Sequence, residues 1–433
     1  MASGIEQQRA DGTPSLPAVP LPAAPVPDPG AGLGPDWLDL FLARELPGLV
    51  TVRREVHAHP ELSRQESATS AKILRILQGY GVRGRVLPGG TGVVAEIGTG
   101  DRVIGLRADI DALPLPELSG LPFASTVPDA SHACGHDIHL TALLGAAGAL
   151  AQVADRLPGR VRLIFQPAEE VMPGGAHDVV EAGVMEGVER IFAFHCDPRL
   201  EVGRIGLRTG AITSTSDLVE LTVTGRGGHT ARPHLTADLV HALGLVITGL
   251  PGMLSRRLDP RSVPIMVWGA VHAGEAANAI PQHGVLRGTL RMMDRRGWEA
   301  AEPLVRELIA QLLAPTGVQH ELLYRRGVPP VENEPVSTGL LRVAGEHAAG
   351  AGAVGPTEQS TGGEDFSVLI DASTGAMARL GVWDGISPQV DLHSATFVAD
   401  ERAIPLGVRL LTHAALAGLR SESLTAAASL EQL

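Results

Sequence analysis

The segment HACGHDIHL, residues 132–140, places a thiol, three imidazoles and a carboxylate at the start of a predicted helix. Cys134 and His136 flank a single glycine, so their side chains can converge if the chain is extended there. A thiolate with an imidazole is a ligand pair suited to zinc or another late first-row divalent metal. The helix N-terminus would also lower the pKa of the Cys134 thiol. A buried cysteine beside capping histidines is the alternative, and this segment alone leaves both open.

Two adjacent glutamates, Glu169 and Glu170, follow the apolar run RVRLIFQ, which predicts a buried strand. Adjacent residues of an extended chain point to opposite sides, so one carboxylate can hold a metal while the other faces the reacting water. Metal-assisted hydrolysis needs both, because a base must take the proton of the activated water. A solvated glutamate pair is the usual alternative, but this pair lies at the carboxyl edge of a predicted sheet, where α/β sites form.

Two further histidines, His195 and His393, extend the candidate set, and we expect His195 at the end of the strand ERIFAFHCDP. Each histidine alone is more often structural than a ligand. With Cys134, His136 and Glu170 they make five candidate ligands. A single catalytic zinc keeps an open position, so five ligands suit two metals bridged by a water.

The elements that must position these residues alternate between strands and helices. An N-terminal helix is predicted from Trp37, with an interruption at Pro47. The helices ESATSAKILRILQGYG and HDIHLTALLGAAGALAQVADRL then alternate with apolar strands that end in acidic residues. This pattern predicts an α/β domain with a mostly parallel sheet.

From about Gly210 the pattern changes to β-α-β-β-α-β, the ferredoxin-like arrangement, which predicts a small domain inserted in the larger one. Proline and alanine dominate the first 35 residues, and a segment of that composition is predicted to be disordered. The predicted division is therefore a disordered tail (1–35), the first part of the catalytic domain (36–209), the inserted domain (210–325), the second part of the catalytic domain (326–424) and a C-terminal tail (425–433).

Composition limits the partners and the compartment. A formal net charge of -13 argues against general nucleic-acid binding, which needs a basic surface. Two cysteines, Cys134 and Cys196, are too few for a disulfide framework in a chain of 433 residues. The N-terminus lacks a signal-peptide pattern, and no stretch is expected to cross a membrane. We therefore expect a cytoplasmic protein with neither nucleic-acid nor membrane partners.

Ten motifs together resemble the aminoacylase-like family of dimetal peptidases and amidohydrolases. The similarity is greatest to the branch of hippurate hydrolases, N-acyl-amino acid amidohydrolases and indole-3-acetyl-amino acid hydrolases. The motifs stand in family order between about Val52 and Arg402: RREVHAHPELS, GLRADIDALP, HACGHDIHLTALLGAA, LIFQPAEE, FHCDP, GRGGHTARPH, AANAIP, GTLR, GGEDFS and LHSATF. The pairing of HACGHDIH with QPAEE is highly specific to this branch.

The resemblance implies a role for each candidate residue of the metal centre. Two divalent ions (Zn, Mn, Co or Ni) would be held by the five matching ligands Cys134, His136, Glu170, His195 and His393. Glu169 matches the general acid/base. Asp111 would orient a ligand, as metal sites commonly require, although a strand-end cap is nearly as good an interpretation.

The inserted domain carries a second set of matches, and the resemblance implies that it serves as a lid and dimerisation domain. His229 would donate to the developing oxyanion from the partner subunit of a homodimer or higher homo-oligomer. Asn278 and Arg291 match residues that contact substrate, and the Arg291 guanidinium suits an α-carboxylate. A turn histidine, a turn asparagine and a surface arginine are the alternatives.

The predicted activity is hydrolysis of the amide bond of an N-acyl-amino acid, giving a carboxylic acid and a free amino acid. A dipeptidase or carboxypeptidase would use the same metals and differ only in its pocket. A catalytically inactive binding protein is less compatible with an intact ligand set and Glu169. A thiol hydrolase acting through Cys134 is the weakest alternative, because no histidine and asparagine pair is evident for it.

Overall fold

A computed structural model describes residues 36–421 of the chain. The two predicted tails, 1–35 and 425–433, lie outside these residues. Within 36–421 there are nine α-helices: α1 Trp37–Ala58, α2 Ser67–Gly79, α3 His136–Ala151, α4 Gly175–Glu181, α5 Leu239–Arg257, α6 Arg295–Leu313, α7 Pro335–Ala349, α8 Phe366–Asp371 and α9 Ala403–Arg420.

The same part of the chain forms sixteen strands. They are β1 Gly84–Val86, β2 Val93–Gly98, β3 Val103–Asp109, β4 Arg160–Gln166, β5 Val188–Glu201, β6 Ile205–Leu207, β7 Gly210–Ala211, β8 Ser216–Thr224, β9 Gly228–His229, β10 Ile265–Ala273, β11 Ala279–Ile280, β12 His283–Arg291, β13 Gln319–Val328, β14 Glu332–Asn333, β15 Val354–Pro356 and β16 Gly375–Trp383.

The large sheet contains eight strands in the order β1-β2-β4-β3-β5-β16-β6-β15. Its centre is parallel, because β3 pairs in parallel with β4 and β5, and β5 with β16. The pair β6–β15 is also parallel, while β1–β2, β2–β4 and β6–β16 are antiparallel. The predicted α/β class with a large, mostly parallel sheet is confirmed.

Helices cover both faces of this sheet, so it forms the middle of three layers. Ile104 and Leu106 of β3 face the core that holds α1, α3 and α9, whereas Val103 faces the core that holds α4 and α8. This alternation follows from the two-residue period of a strand. By the same alternation, Arg107 and Asp109 fall on the same side of β3 as Val103, the side of α4 and α8.

The helix α3 is buried along almost its whole length, which requires close approach to its neighbours. A Cβ atom at Gly145 would lie 2.4 Å from Cγ2 of Val408 in α9 and 2.9 Å from Cδ1 of Leu49 in α1. Glycine is therefore needed here for packing, and α3 is held rigidly between α1 and α9. The first residue of this rigid helix is His136.

The interruption predicted at Pro47 is wrong, because α1 runs without a break from Trp37 to Ala58. Proline removes one helical hydrogen bond, but Pro47 lies on the exposed side of α1, where water can bond the freed carbonyl. On the other side, Phe41, Leu49 and Val56 are buried in the core. Their burial outweighs the local cost of the proline.

A second, antiparallel sheet is formed by four strands in the order β10-β12-β8-β13. Along the chain its elements follow the order β8, α5, β10, β12, α6, β13. The helices α5 and α6 pack on one face of the sheet around a separate hydrophobic core that includes Leu221, Val246 and Leu308. The other face carries Leu218 and Arg291.

One helix is an exception to the expectation that no stretch is apolar and long enough to span a membrane. By length and composition alone, α5 would be long and apolar enough. Its residues Leu243, Val246 and Leu250 are instead buried in the core of the second sheet. The core helix of a soluble protein can have the same length and apolar composition, so α5 gives only weak evidence for a membrane span.

The two glycines Gly145 and Gly244 allow a matched test of this packing. We expect Gly145→Ala to lower the free energy of unfolding by about 1–3 kcal/mol, because the added methyl group overlaps Val408 and Leu49. Gly244 lies in α5 with no atom within 4 Å of an added Cβ, so Gly244→Ala should stabilise by up to about 1 kcal/mol. Thermal unfolding of both variants measures this, and a neutral Gly145→Ala would contradict the close approach of α3 and α9.

Candidate metal centre and active site

The candidate site lies where the central parallel strands end, on the face covered by α4 and α8. Asp109 is the last residue of β3, and Gln166 is the last residue of β4. Both side chains are fully buried. The loops that follow these strands, the start of α3, and the chain before α9 all converge here.

Cys134, His136 and His195 form the first group of close donors. Their ligand atoms lie within 4.8 Å of one another, and Cys134 Sγ is 3.5 Å from His195 Nε2. The chain is not extended between the first two residues as expected, because Gly135 adopts a left-handed conformation with φ of 85°. Glycine tolerates this φ without a steric cost, so the sharp turn brings the thiol and the imidazole together.

The pKa lowering predicted for Cys134 is wrong. Burial raises the pKa of this thiol well above its ordinary value, and the carboxylates of Glu170, Glu169 and Asp109 raise it further. The N-terminus of α3 supplies only a partial positive charge, which does not offset burial and three nearby carboxylates. A divalent cation would supply the missing positive charge.

His195 is also placed differently from the expectation, because β5 continues six residues beyond it to Glu201. It lies inside a buried strand and not at its end. The backbone carbonyl of Cys196 accepts a hydrogen bond from His195 Nδ1 at 2.8 Å, which leaves Nε2 directed at Cys134. The Cys196 thiol itself is fully buried against Gly135.

His136 Nε2 faces the site and has no hydrogen-bond partner within the described part of the chain. Its Nδ1 donates to the backbone carbonyl of Asp111 at 2.9 Å and lies 3.2 Å from the Asp111 carboxylate. Burial disfavours the charged ring, but Asp109, Asp111 and Glu170 overcome this effect and raise the pKa of His136 to about 10. The contacts with Asp111 fix the orientation of this ring.

The donors that face one another here fit a divalent metal. His136 Nε2 and Glu170 Oε1 are both buried without a hydrogen-bond partner, and they lie 3.8 Å apart. His393 Nε2 is 3.2 Å from the same Glu170 oxygen, and Cys134 completes that group within 4.8 Å. Buried polar atoms are normally satisfied, so a nitrogen and an oxygen without hydrogen-bond partners, close to a thiol and two further imidazoles, indicate a cation site.

Glu169 and Glu170 lie in a turn after β4 and not in extended chain as expected. Ala168 before them has a φ of 54°, and its N–H donates to the Glu66 carboxylate at 2.7 Å. The turn brings Glu169 within 4.8 Å of Glu364 and Asp365. Burial raises the pKa of Glu169 well above its ordinary value, and these carboxylates raise it further.

An arginine that the sequence interpretation did not single out lies beneath these acids. Arg107 of β3 is fully buried and donates to Asp109 at 2.8 Å, to Glu364 at 3.0 Å and to Asp365 at 3.2 Å. A fourth bond, of 2.9 Å, reaches the Gln166 side chain. The motif RADID, residues 107–111, could have indicated this arginine, because a cation there precedes two acids at the end of an apolar strand.

His139 was also missed as a functional candidate, although it follows His136 by three residues on the same helix. The backbone N–H of Cys196 donates to His139 Nε2 at 2.9 Å, so the ring proton belongs on Nδ1. That nitrogen lies 2.5 Å from Asp109 Oδ1. His139 therefore connects α3 with β3 and β5 below the metal centre.

A cavity of about 550 Å³ opens above the cluster. Cys134, Glu169, Glu170, His195 and His393 line it on one side. On the other side, the second sheet contributes Leu218 and Arg291. The half-buried Arg291 also donates to the carbonyl of Thr361 at 3.0 Å.

The structure does not place His229 and Asn278 in this cavity. His229 lies in β9 and Asn278 directly precedes its partner strand β11, where the N–H of Thr230 donates to the carbonyl of Asn278 at 3.2 Å. Both side chains are exposed. Of the predicted residues, the chain itself brings together the five ligands, Glu169, Asp111 and Arg291.

This arrangement agrees with comparisons to known proteins. Residues 105–417, more than half of the chain, match the peptidase family M20/M25/M40. The chain belongs to this family. The predicted resemblance is confirmed, and so is the enzyme class, since this is a family of hydrolases that act on amide bonds.

Relatives of this M20-family chain carry several names. An N-acetylcysteine deacetylase of Bacillus subtilis is 39% identical over 360 residues, covering 82% of this chain and 93% of the relative. A protein of Rhodococcus jostii named glutamate–cysteine ligase 2-3 is 51% identical over 377 residues, covering 87% of this chain but only 47% of the relative. This chain thus spans about half the length of the Rhodococcus protein.

A solved structure shares the fold. The YXEP protein of Bacillus subtilis is described as a dinuclear metal binding peptidase from the M20 family. It is 34% identical to this chain with a TM-score of 0.73, covering 87% of this chain and 98% of its own. A relative with the same fold is thus described as binding two metal ions.

Metal binding by this cluster should release protons. His136, with a pKa of about 10, holds a proton at pH 7 in protein stripped with a chelator, and it must lose that proton to become a ligand. We therefore expect the apparent affinity for Zn²⁺ to rise with pH between about 6 and 9. Titration calorimetry in buffers of different ionisation enthalpy should show at least about one proton released, and fewer for His136→Ala. Affinity independent of pH would contradict this assignment.

Proposed function

We propose that this M20-family chain hydrolyses the amide bond of N-acyl-amino acids with two divalent metal ions. One observation carries the proposal: the unpartnered donors His136 Nε2 and Glu170 Oε1 face each other at the base of a cavity that Glu169 also lines. Cys134, Glu170 and His393 would hold one ion, with His136 and His195 completing the site for the second. When bound, the ions would supply Lewis-acid activation of the attacking water and the scissile carbonyl.

Glu169 is suited to move the proton in this reaction. Its carboxyl lies beside Glu364 and Asp365, and burial with these neighbours favours its protonated form. A carboxylate with a raised pKa takes a proton from water readily and can return it to the leaving amine nitrogen. Glu170, one residue further on, is directed towards His393 and Cys134. Glu169 would therefore move the proton, while Glu170 would hold a metal ion.

The cavity offers different surfaces to the two ends of a substrate. Arg291 supplies a guanidinium that can pair with the α-carboxylate of the amino-acid part. Val171, Met172, Leu218 and Leu392 form an apolar part of the lining. That surface suits an acyl chain or aromatic acyl group, and the Bacillus deacetylase name supports acetyl as one member of the class.

We further propose that residues 210–325 form a ferredoxin-like lid and dimerisation domain of a cytoplasmic homodimer or higher homo-oligomer. Two observations support this proposal. The second sheet shares the substrate cavity with the large sheet through Leu218 and Arg291, so its movement would open or close the cavity. His229 and Asn278 are exposed outside the cavity of their own chain, where a partner's cavity could receive them.

A peptidase that cuts dipeptides with a free amine is the second candidate, and the description of the YXEP protein favours it. It needs the same metal donors and the same Glu169. The two candidates differ in what faces the substrate nitrogen. A free ammonium group calls for a carboxylate partner, whereas an acyl group calls for apolar contacts such as those of Met172 and Leu218.

The deciding assay measures release of free amino acid from N-acetyl, N-benzoyl and free-amine dipeptide substrates, including N-acetylcysteine. We expect hydrolysis of the N-acyl compounds, loss of activity with a chelator, and recovery when Zn, Mn, Co or Ni is added. Glu169→Gln should retain its metal and lose turnover by about 10²–10⁴-fold, because it cannot accept the proton. Asp155→Asn, an exposed acid-to-amide change far from the cavity lining, is the matched control.

Three results would contradict the proposal. Activity that survives the chelator would exclude a metal-dependent reaction. Full turnover by Glu169→Gln with normal metal content would exclude this residue as the base. Faster cleavage of free-amine dipeptides than of every N-acyl compound would favour the peptidase.

The role of His229 can be tested by mixing two inactive variants. If His229 acts in the partner's site, dimers of Glu169→Gln with His229→Ala contain one complete site. Mixing equal amounts after dissociation should then restore about a quarter of the wild-type activity, because half of the dimers are mixed and each has one working site. Size-exclusion chromatography with light scattering confirms the dimers. Failure of mixed dimers to regain activity would place His229 outside the reaction.

A further inference from the structure

Arg379 is a buried arginine of the cavity, and no residue within 36–421 forms a hydrogen bond or an ion pair with it. It lies in β16 directly opposite His195 of β5, and only 6% of the residue is exposed. Its Nε has no hydrogen-bond partner, and none of the ion pairs formed within residues 36–421 includes Arg379. Yet it lines the same cavity as the metal donors.

The other buried arginine of the site, Arg107, differs from Arg379 because it has several partners. Both arginines lie in central strands of the large sheet and are buried, and they fall on the same side of their strands as Val103 and Met377, which pack in the core of α4 and α8. Arg107 donates to three carboxylates and an amide oxygen. A guanidinium stays charged when buried, so Arg379 carries a positive charge that no carboxylate within residues 36–421 neutralises through an ion pair.

The two acidic residues that influence Arg379 pair with other arginines, so its charge can still pair with an anion. Burial lowers the pKa of Arg379 from its ordinary value, while Asp197 and Glu364 favour the charged form from a distance. Asp197 pairs instead with Arg199, and Glu364 pairs with Arg107. An unpaired buried cation is strongly unfavourable, so an anion from outside the chain is the partner that the geometry calls for.

Arg291 and Arg379 face the cavity from different sheets. Arg291 comes from the end of β12 in the second sheet and is half-buried, whereas Arg379 is deep in the large sheet beside His195. We propose that Arg379 binds a second carboxylate of the substrate, so that the enzyme prefers N-acyl-amino acids that carry two carboxylates. This inference rests on the proposed hydrolysis of N-acyl-amino acids, in which Arg291 takes the first carboxylate.

The second carboxylate has two chemical sources, which are the side chain of an acidic amino acid and a dicarboxylic acyl group. Arg379 neighbours the ligand His195 in the strand register, so its anion lies close to the scissile bond. Either source places a carboxylate a few bonds from that amide. A planar guanidinium pairs with a carboxylate through two parallel hydrogen bonds, which an uncharged amide cannot reproduce.

A comparison of thermal stability separates a recognition role from a structural role. We expect Arg379→Met to raise the unfolding temperature of chelator-stripped protein by a few degrees, because it removes an unpaired buried charge. Arg107→Met is the matched control. It should lower the unfolding temperature, because it leaves three buried carboxylates without their cation. A clear loss of stability in Arg379→Met would assign the residue to the fold and overturn the proposal.

The kinetic test uses pairs of substrates that differ by one charge. N-acetyl-glutamate against N-acetyl-glutamine tests the amino-acid source, and N-succinyl-alanine against its terminal amide tests the acyl source. We expect wild-type enzyme to prefer the acid of at least one pair. Arg379→Met should lower kcat/KM for that acid by about 10–100-fold and change its amide less than about threefold, whereas Arg379→Lys should retain part of the preference.

A binding measurement keeps the inference separate from the proposed activity. Calorimetry with Zn-loaded protein compares glutarate, which has two carboxylates, with butyrate, which has one. Arg379→Met should weaken glutarate binding about 10-fold or more and leave butyrate unchanged, even if no N-acyl-amino acid is hydrolysed. Equal losses for both ligands, or no preference of the wild type for any acid over its amide, would overturn the second-carboxylate assignment.

Discussion

The buried ion pairs of Arg107 with Asp109, Glu364 and Asp365 are the interaction on which the site depends. Removing several carboxylates from water costs much free energy unless a cation with suitable geometry joins them. Arg107 supplies that cation from the middle of a strand, where its position is fixed by the sheet. It thereby connects β3 with the loop before α8, and it allows an acidic cluster to persist beneath Glu169.

From this base, carboxylates determine the orientation of the histidines above them. Asp109 bonds His139, which in turn accepts from the backbone of β5, and Asp111 bonds His136. Each bond occupies one ring nitrogen. The remaining nitrogen of His136 is therefore directed at the space that Glu170 also faces. Such outer hydrogen bonds are known to fix ligand direction and affinity in metal sites.

The unsatisfied atoms of the cavity are a cost that the rest of the fold offsets. Among the described residues, His136 Nε2, Glu170 Oε1 and Arg379 Nε have no hydrogen-bond partner, and all three residues lie at the candidate site. By contrast, the helix α3 is packed between α1 and α9 through a continuous apolar surface. A well-packed scaffold can hold donors in unfavourable positions, and those positions are the ones that bind cations and anions from solution.

The sequence alone determined the family and the α/β class, and it predicted the five candidate donors and Glu169, because these depend on residue types at fixed spacing and on strand and helix periodicity. Tertiary structure decided the directions of those residues. The left-handed Gly135, the turn at Ala168 and the continuation of β5 past His195 each depend on neighbours far away in the chain. The raised pKa of Cys134 and the partnerless Arg379 have the same origin. Burial and long-range charges control them, and neither can be read from local spacing.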